Sequence, residues 1–189
     1  MANRDPEATR RRIIDAAKGV FATQGLAGAR VDAIAAAAAT SKERLYANFR
    51  TKDELFDVVL SESVEEWLRA VPFTVDDLPE YAGNLFDHFC EHTVDARLIF
   101  WGQLSNRSTT GLLQEAQDLL AARRAEVAAA QARGGIDAEW DAADLFVIIY
   151  GVVMSWLVNP NEPLPPTVSP EELTRRRGIV HSTVKRLIS

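Results

Sequence analysis

Along this chain apolar residues recur at spacings of three and four rather than two, which predicts α-helix almost everywhere outside the glycine and proline punctuation and strand nowhere. In the first segment Ile13, Ala17, Val20 and Phe21 share one face behind Asp5-Pro6, and Gly25 supplies the stop, so a helix is expected from Pro6 to Gln24. Val31, Ile34, Ala35 and Ala38 make a short second amphipathic segment, and the pattern breaks over Ala39-Thr40-Ser41. A third short helix, Lys42 to Phe49, buries Leu45 and Phe49 and leaves Lys42, Glu43, Arg44, Tyr46, Ala47 and Asn48 outward. Thr51-Lys52-Asp53-Glu54 then has the spacing of a capping box and opens a fourth helix that ends near Val71, ahead of Pro72.

The remainder reads the same way. Asp77-Leu78-Pro79-Glu80 and Ser169-Pro170-Glu171-Glu172 are helix starts, with helices expected between them over 95–106, 110–133 and 139–158. Gly134-Gly135 is a stop, and the proline-rich stretch 159–166 is expected to be a stiff extended connector. Leu145 to Val158 is the most apolar segment, but it falls short of the ~20 residues that cross a bilayer, and it reads as a buried core helix. The start, Met1 to Pro6, has no apolar run after its charges, so neither export nor membrane insertion is expected.

Composition narrows the class. The 189 residues include 28 alanines, ten glycines and one cysteine, an ordinary globular make-up with no internal disulfide, which places the expected home in the cytoplasm. A net charge of −6 argues at first against a polyanionic partner. Divided at Phe56, however, residues 1–56 sum to +3 and residues 57–189 to −9. Such asymmetry suggests that one part of the chain meets a polyanion and the other does not, while two solvated faces of a single domain would give the same split.

Two short helices joined by three residues, the second basic and outward-facing, suit the major groove of DNA, which at about 12 Å wide admits one helix whose side chains reach base edges. The residues Val31-Asp32-Ala33-Ile34-Ala35 and the run from Ala39 to Leu55, behind Ile13-Ile14-Asp15-Ala16-Ala17 with Phe21 and Gly25, resemble the DNA-binding signature of TetR-family repressors. Ile34-Ala35, Ser41-Lys42, Leu45-Tyr46, Phe49, Lys52 and Leu55 carry the match. The resemblance implies an all-α protein: an N-terminal three-helix helix-turn-helix domain over 1–56, then a larger helical domain for ligand binding and dimerisation over 57–189. It implies a homodimer on a double-stranded DNA operator, released when a small apolar or aromatic effector binds, with no cofactor and no enzymatic role.

With that resemblance, Tyr46 and Lys52 are expected on phosphate, and Arg44 on a base, through O6 and N7 of guanine. Thr40, Ser41, Lys42 and Asn48 are expected on backbone or base, and Arg10, Arg11 and Arg12 along the backbone. Two departures from the family pattern stand out. Ala39 replaces the usual turn glycine, at a cost of ~1 kcal/mol if the turn needs positive φ. Glu43-Arg44 replaces a small pair at the start of the recognition helix, which implies a base preference of its own.

In the larger domain Phe86, Phe89, Cys90, Trp101, Leu104, Tyr150 and Met154 form the candidate ligand set, with Gln103, Asn106 and His88 available to orient a ligand. Val152 and Trp156 on one helix and Val180, Val184 and Leu187 on the last are the candidate dimer interface, closing a four-helix bundle between subunits. An alternative reading starts from His88-Phe89-Cys90-Glu91-His92. Its H-x-x-E-H spacing puts His88 and His92 on one helix face beside Glu91, as in a helical metal-binding protein or metalloenzyme, though a third protein ligand would have to come from elsewhere. A constitutive architectural DNA-binding protein without effector is the remaining alternative.

Overall fold

The periodicity of three and four is realised throughout. The computed structural model describes residues 6–107, 114–159 and 167–189, and among them there is no strand. The helices are α1 (Pro6–Gly28), α2 (Val31–Ala37), α3 (Lys42–Asn48), α4 (Lys52–Ala70), α5 (Leu78–Glu91), α6 (Thr93–Leu104), α7 (Gln114–Ala132), α8 (Ala142–Val158) and α9 (Pro170–Leu187). None of them is long and apolar enough to cross a membrane. The expected helix start at Thr110 and nearly all of the proline-rich connector lie outside the described residues.

Two compact units result, one from the described residues of Met1–Glu66 and Val94–Ala116, the other from Trp67–Thr93 and Gln117–Ser189. In the first, Ile13, Ala17, Phe21, Ile34, Leu45, Phe49, Leu55 and Phe56 are fully buried, and the Phe21 and Phe56 rings meet edge to face at 5.0 Å. Each such large side chain contributes about 1.5–3 kcal/mol on burial. Gly25 interrupts α1 as expected, at φ 67° and ψ 177°, and the chain turns once more to Gly28. A Cβ on Gly25 would stand 2.5 Å from the Trp101 ring.

Helix α6 is bound to this unit by polar contacts. Trp101 Nε1 and Arg97 Nε both donate to the Ala22 carbonyl, at 3.3 and 2.8 Å. The Lys18 ammonium lies 2.8 Å from the buried Asp95 carboxylate, and Arg107 reaches Asp53 at 2.7 Å and Asp57 at 2.6 Å.

In the second unit α9 lies along α5, with Val180 and Val184 fully buried, and Arg177 bridges Glu80 and Asp87, each at 2.7 Å. The starts follow their caps: Asp77, Asp141 and Ser169 accept amides at 3.1, 2.8 and 3.2 Å. Asp141 thus starts α8 later than the expected Glu139. Gly134 ends α7 at φ 73°. Helix α4 departs from a simple box, because Thr51 Oγ1 accepts the Glu54 amide while the Glu54 carboxylate takes the amide of Arg50 rather than that of Thr51.

Glu172 is held by Arg175 and Arg176, which lower its pKa from 4.5 to about 2. The depressed value fixes the sign: the unfolded chain takes up the proton first, so this contribution is complete above pH 4.5 and disappears as pH falls toward 2. Glu172→Gln is expected to flatten the acid limb of melting temperature against pH, followed by circular dichroism; an unchanged limb would assign the acid loss to other carboxylates.

Candidate nucleic-acid interface

The turn between α2 and α3 is built as a Schellman closure. The Ala39 amide donates to the Ala36 carbonyl at 3.1 Å and the Thr40 amide to the Ala35 carbonyl at 3.0 Å, around Ala39 at φ 49°. Here the alanine stands in the left-handed conformation that favours glycine. Ala39→Gly is accordingly expected to raise stability by about 0.5–1 kcal/mol, read from a denaturant melt; a loss instead would mean that the alanine methyl contributes packing worth more than the strain.

Ser41 starts α3 by accepting the Arg44 amide on Oγ at 3.2 Å, and Leu45 anchors the helix in the core. At the other end the Arg10 guanidinium lies 4.4 Å from the centre of the Phe49 ring and donates to the Asn48 carbonyl at 3.4 Å. The outer face so fixed presents Lys42, Glu43, Arg44, Tyr46 and Ala47 to solvent. Ala39, Thr40, Ser41 and Arg44 line an open depression of about 460 Å³.

The candidate DNA-binding residues differ in what they are free to do. Among the described residues the Arg44 guanidinium engages no acid or carbonyl, and its backbone carbonyl accepts from Asn48 Nδ2 at 2.8 Å. Tyr46 is 42% exposed. Lys42 is neutralised across the turn by Asp32 at 3.0 Å. Lys52 donates to the Ala29 carbonyl at 3.0 Å and to that of Ala27 at 3.5 Å, so it ties down the α1–α2 turn and keeps its charge uncancelled. Thr40 is half-buried at the turn and Ser41 is occupied as a cap.

Other cations are spoken for. Arg11 pairs with Asp15 at 3.1 Å and Glu62 at 2.9 Å, and Lys18 with Glu66 at 2.7 Å. Sequence reasoning missed Arg30 and Arg50, exposed residues that flank α2 and α3 and whose guanidinium groups have no partner among the described residues. Their position beside the two short helices was the available clue.

The candidate ligand residues are distributed over both units. Phe86, Phe89 and Cys90 on α5 and Tyr150 and Met154 on α8 belong to the second unit, where the Phe89 and Tyr150 rings stand 5.9 Å apart. Burial pushes the Cys90 thiol up to about 11, so it is a small packed hydrophobe rather than a nucleophile. Trp101 and Leu104 belong to the first unit. The Trp101 ring is spent against Gly25, and Leu104 is 76% exposed. Gln103 and Asn106 are exposed there as well, and His88 lies against Phe89 with ring centroids 5.5 Å apart.

The expected dimer residues need a correction. Val180 and Val184 have no exposure within the protomer, because this stripe of α9 packs on α5, and they cannot face a second subunit. Val152, Trp156 and Leu187 are half-buried, and Trp156 packs on Phe86 and Arg176 at 5.9 and 5.7 Å. The metal alternative gains no support either. His88 and His92 rings are 4.6 Å apart, but among the described residues no group of three or more His, Cys, Asp or Glu could hold a metal.

A core-anchored helix with uncommitted polar side chains on its outer face, preceded by a supporting helix across a tight turn, defines a helix-turn-helix DNA-binding protein, here with a second helical unit attached. Residues 13–59 match the model for bacterial regulatory proteins of the TetR family, and residues 77–186 match the tetracyclin repressor-like C-terminal domain. Over 160 residues the chain is 38% identical to the HTH-type transcriptional repressor SCO4008 of Streptomyces coelicolor, covering 84% of this chain and 82% of that protein. The crystal structure of SCO4942 of Streptomyces coelicolor matches with a TM-score of 0.77 at 37% identity, covering 95% of this chain and 98% of that one. FadR of Bacillus subtilis, solved in complex with stearoyl-CoA, shares the fold, with a TM-score of 0.64 at 18% identity over 95% of this chain and 99% of that one. The chain belongs to the TetR family of transcriptional regulators.

Proposed function

We propose that this protein is a homodimeric repressor that binds a pseudo-palindromic operator and releases it when a small apolar or aromatic molecule occupies the second unit. The observation that carries the reading is the state of the recognition helix: Ser41 and Leu45 hold it in place while, among the described residues, the Arg44 guanidinium and the Tyr46 hydroxyl engage no partner. Phosphate contacts come from Tyr46, Lys52, Arg30 and Arg50, and base contact from Arg44, with Thr40, Lys42 and Asn48 beside it.

Two recognition helices from a dimer fall on one side of the duplex about 34 Å apart, one helical turn. The dimer face favoured by exposure is the side of α8 carrying Val147 at 67% and Val158 at 51%, with exposed Gly151 and Ser155 between them, joined by Ile179 of α9 at 38%. Small residues at the middle of that face allow close helix approach. For release, the effector must bind the operator-incompetent form more tightly than the competent one.

Selection from a random DNA pool tests the reading. Enrichment of a two-fold symmetric site with half-sites one turn apart is expected; recovery of no sequence above background would overturn it. A recovered operator that no small apolar molecule releases would instead favour a constitutive architectural role.

A further inference from the structure

Among its described residues the second unit buries a cation without a counter-charge. Arg123 of α7 is 7% exposed, and its guanidinium stands 5.7 Å from the Trp67 ring, 5.3 Å from Phe73 and 5.5 Å from Tyr81. Its Nη1 donates to the Tyr81 hydroxyl at 2.9 Å, and its Nη2 to the carbonyls of Leu68 and Val71 at the end of α4. Those carbonyls carry the partial negative charge of a helix C-terminus. Among the described residues no carboxylate pairs with it, although a buried guanidinium ordinarily keeps one, because desolvating the charge is costly.

Two more donors on the same aromatic cluster have no acceptor among the described residues, the Trp67 indole N–H and the Tyr150 hydroxyl. Trp67 is 5% exposed, and its ring lies 5.8 Å from Phe89 and 6.4 Å from Tyr150. Burial raises the Tyr150 pKa far above its ordinary value, so the hydroxyl keeps its proton and remains a donor. Buried donors in folded proteins are nearly always satisfied, and each exception calls for an explanation.

We infer that this cluster is the recognition subsite for the carboxylate of an apolar, ring-bearing effector, with the Trp67 N–H and Tyr150 O–H donating to its oxygens, Arg123 supplying the charge, and Phe89 flanking its apolar body. The inference rests on the reading of the second unit as an effector domain. A cationic ligand is disfavoured, since Arg123 already occupies the ring faces that would attract one.

Calorimetry on the full chain with 2-naphthoate and with 2-naphthylmethylammonium, molecules of like shape and opposite charge, tests it. Naphthoate is expected to bind and the ammonium compound to bind at least about 100-fold more weakly. Arg123 also closes the end of α4, so its removal confounds folding with binding. Trp67→Phe and Tyr150→Phe each delete one donor and keep a ring, and each is expected to weaken naphthoate about tenfold, as for a hydrogen bond to a charged group, with the melting temperature unchanged. Failure of naphthoate to bind, equal binding of the ammonium compound, or both variants within twofold of wild type would overturn the subsite. Operator binding measured in parallel separates the two readings. Naphthoate bound in this way without operator release supports the subsite and overturns only relief by a ligand at that subsite; release by another molecule while naphthoate fails overturns the subsite alone.

Discussion

Gly25→Ala is expected to destabilise the first unit by at least about 3 kcal/mol, combining backbone strain with overpacking, and to lower the melting temperature by roughly 6–12 °C. Two independent faults coincide at this position. At φ 67° and ψ 177° the backbone occupies a region essentially restricted to glycine, and the added Cβ would sit 2.5 Å from the Trp101 ring. The ring has little room to retreat, because its Nε1 is bonded to the Ala22 carbonyl. Gly19→Ala is the control: nothing lies within 4 Å of its added Cβ, and inside α1 the change is expected to stabilise by about 0.5–1 kcal/mol. Thermal melts of the two variants check the pair, and a mild effect at Gly25 would mean that the kink in α1 can be straightened cheaply.

Arg44→Ala is expected to leave the melting temperature unchanged and to remove about 1–3 kcal/mol of discrimination at one base pair of each half-site. The first half follows from the structure, in which the exposed guanidinium makes no hydrogen bond or ion pair among the described residues. The second follows from its place beside the depression at the start of α3, where a bidentate contact to guanine can form. Lys52→Ala is expected to behave differently. Losing a phosphate contact weakens every sequence alike and reduces the salt slope by about one unit. Losing the bonds to the Ala27 and Ala29 carbonyls also lowers the melting temperature. Affinities for the operator and its single-base variants at several salt concentrations distinguish the two. Equal loss on all sequences for Arg44→Ala would move that residue from base to backbone.

The helix-turn-helix was legible because its determinants are local. The Ser41 cap, the Leu45 and Phe49 anchors and the turn alanine all act within a few residues of one another. What was not legible depends on partners distant in sequence. Nothing near Asp95, Arg97 or Trp101 announces that they are bound to Lys18 and Ala22, so Trp101 reads as ligand-facing when it is a brace for α1. The stripe on α9 was visible too, but periodicity gives a face without naming its neighbour. Val180 and Val184 turned out to serve the protomer, while Ile179, one residue away, is exposed. Net charge had the same weakness, since summing it over the first 56 residues counts Lys42 and Arg11 alongside the uncommitted Arg30, Arg44 and Arg50.

The Lys42–Asp32 pair bears on how the operator is found. On the proposed reading, a recognition helix whose lysine is paired with an acid of the preceding helix would release fewer small ions on meeting arbitrary duplex, so its grip on the wrong sequence would be looser and shorter-lived. Excursions between stretches of DNA would then take over from long sliding runs, and the time lost on each incorrect stretch would fall.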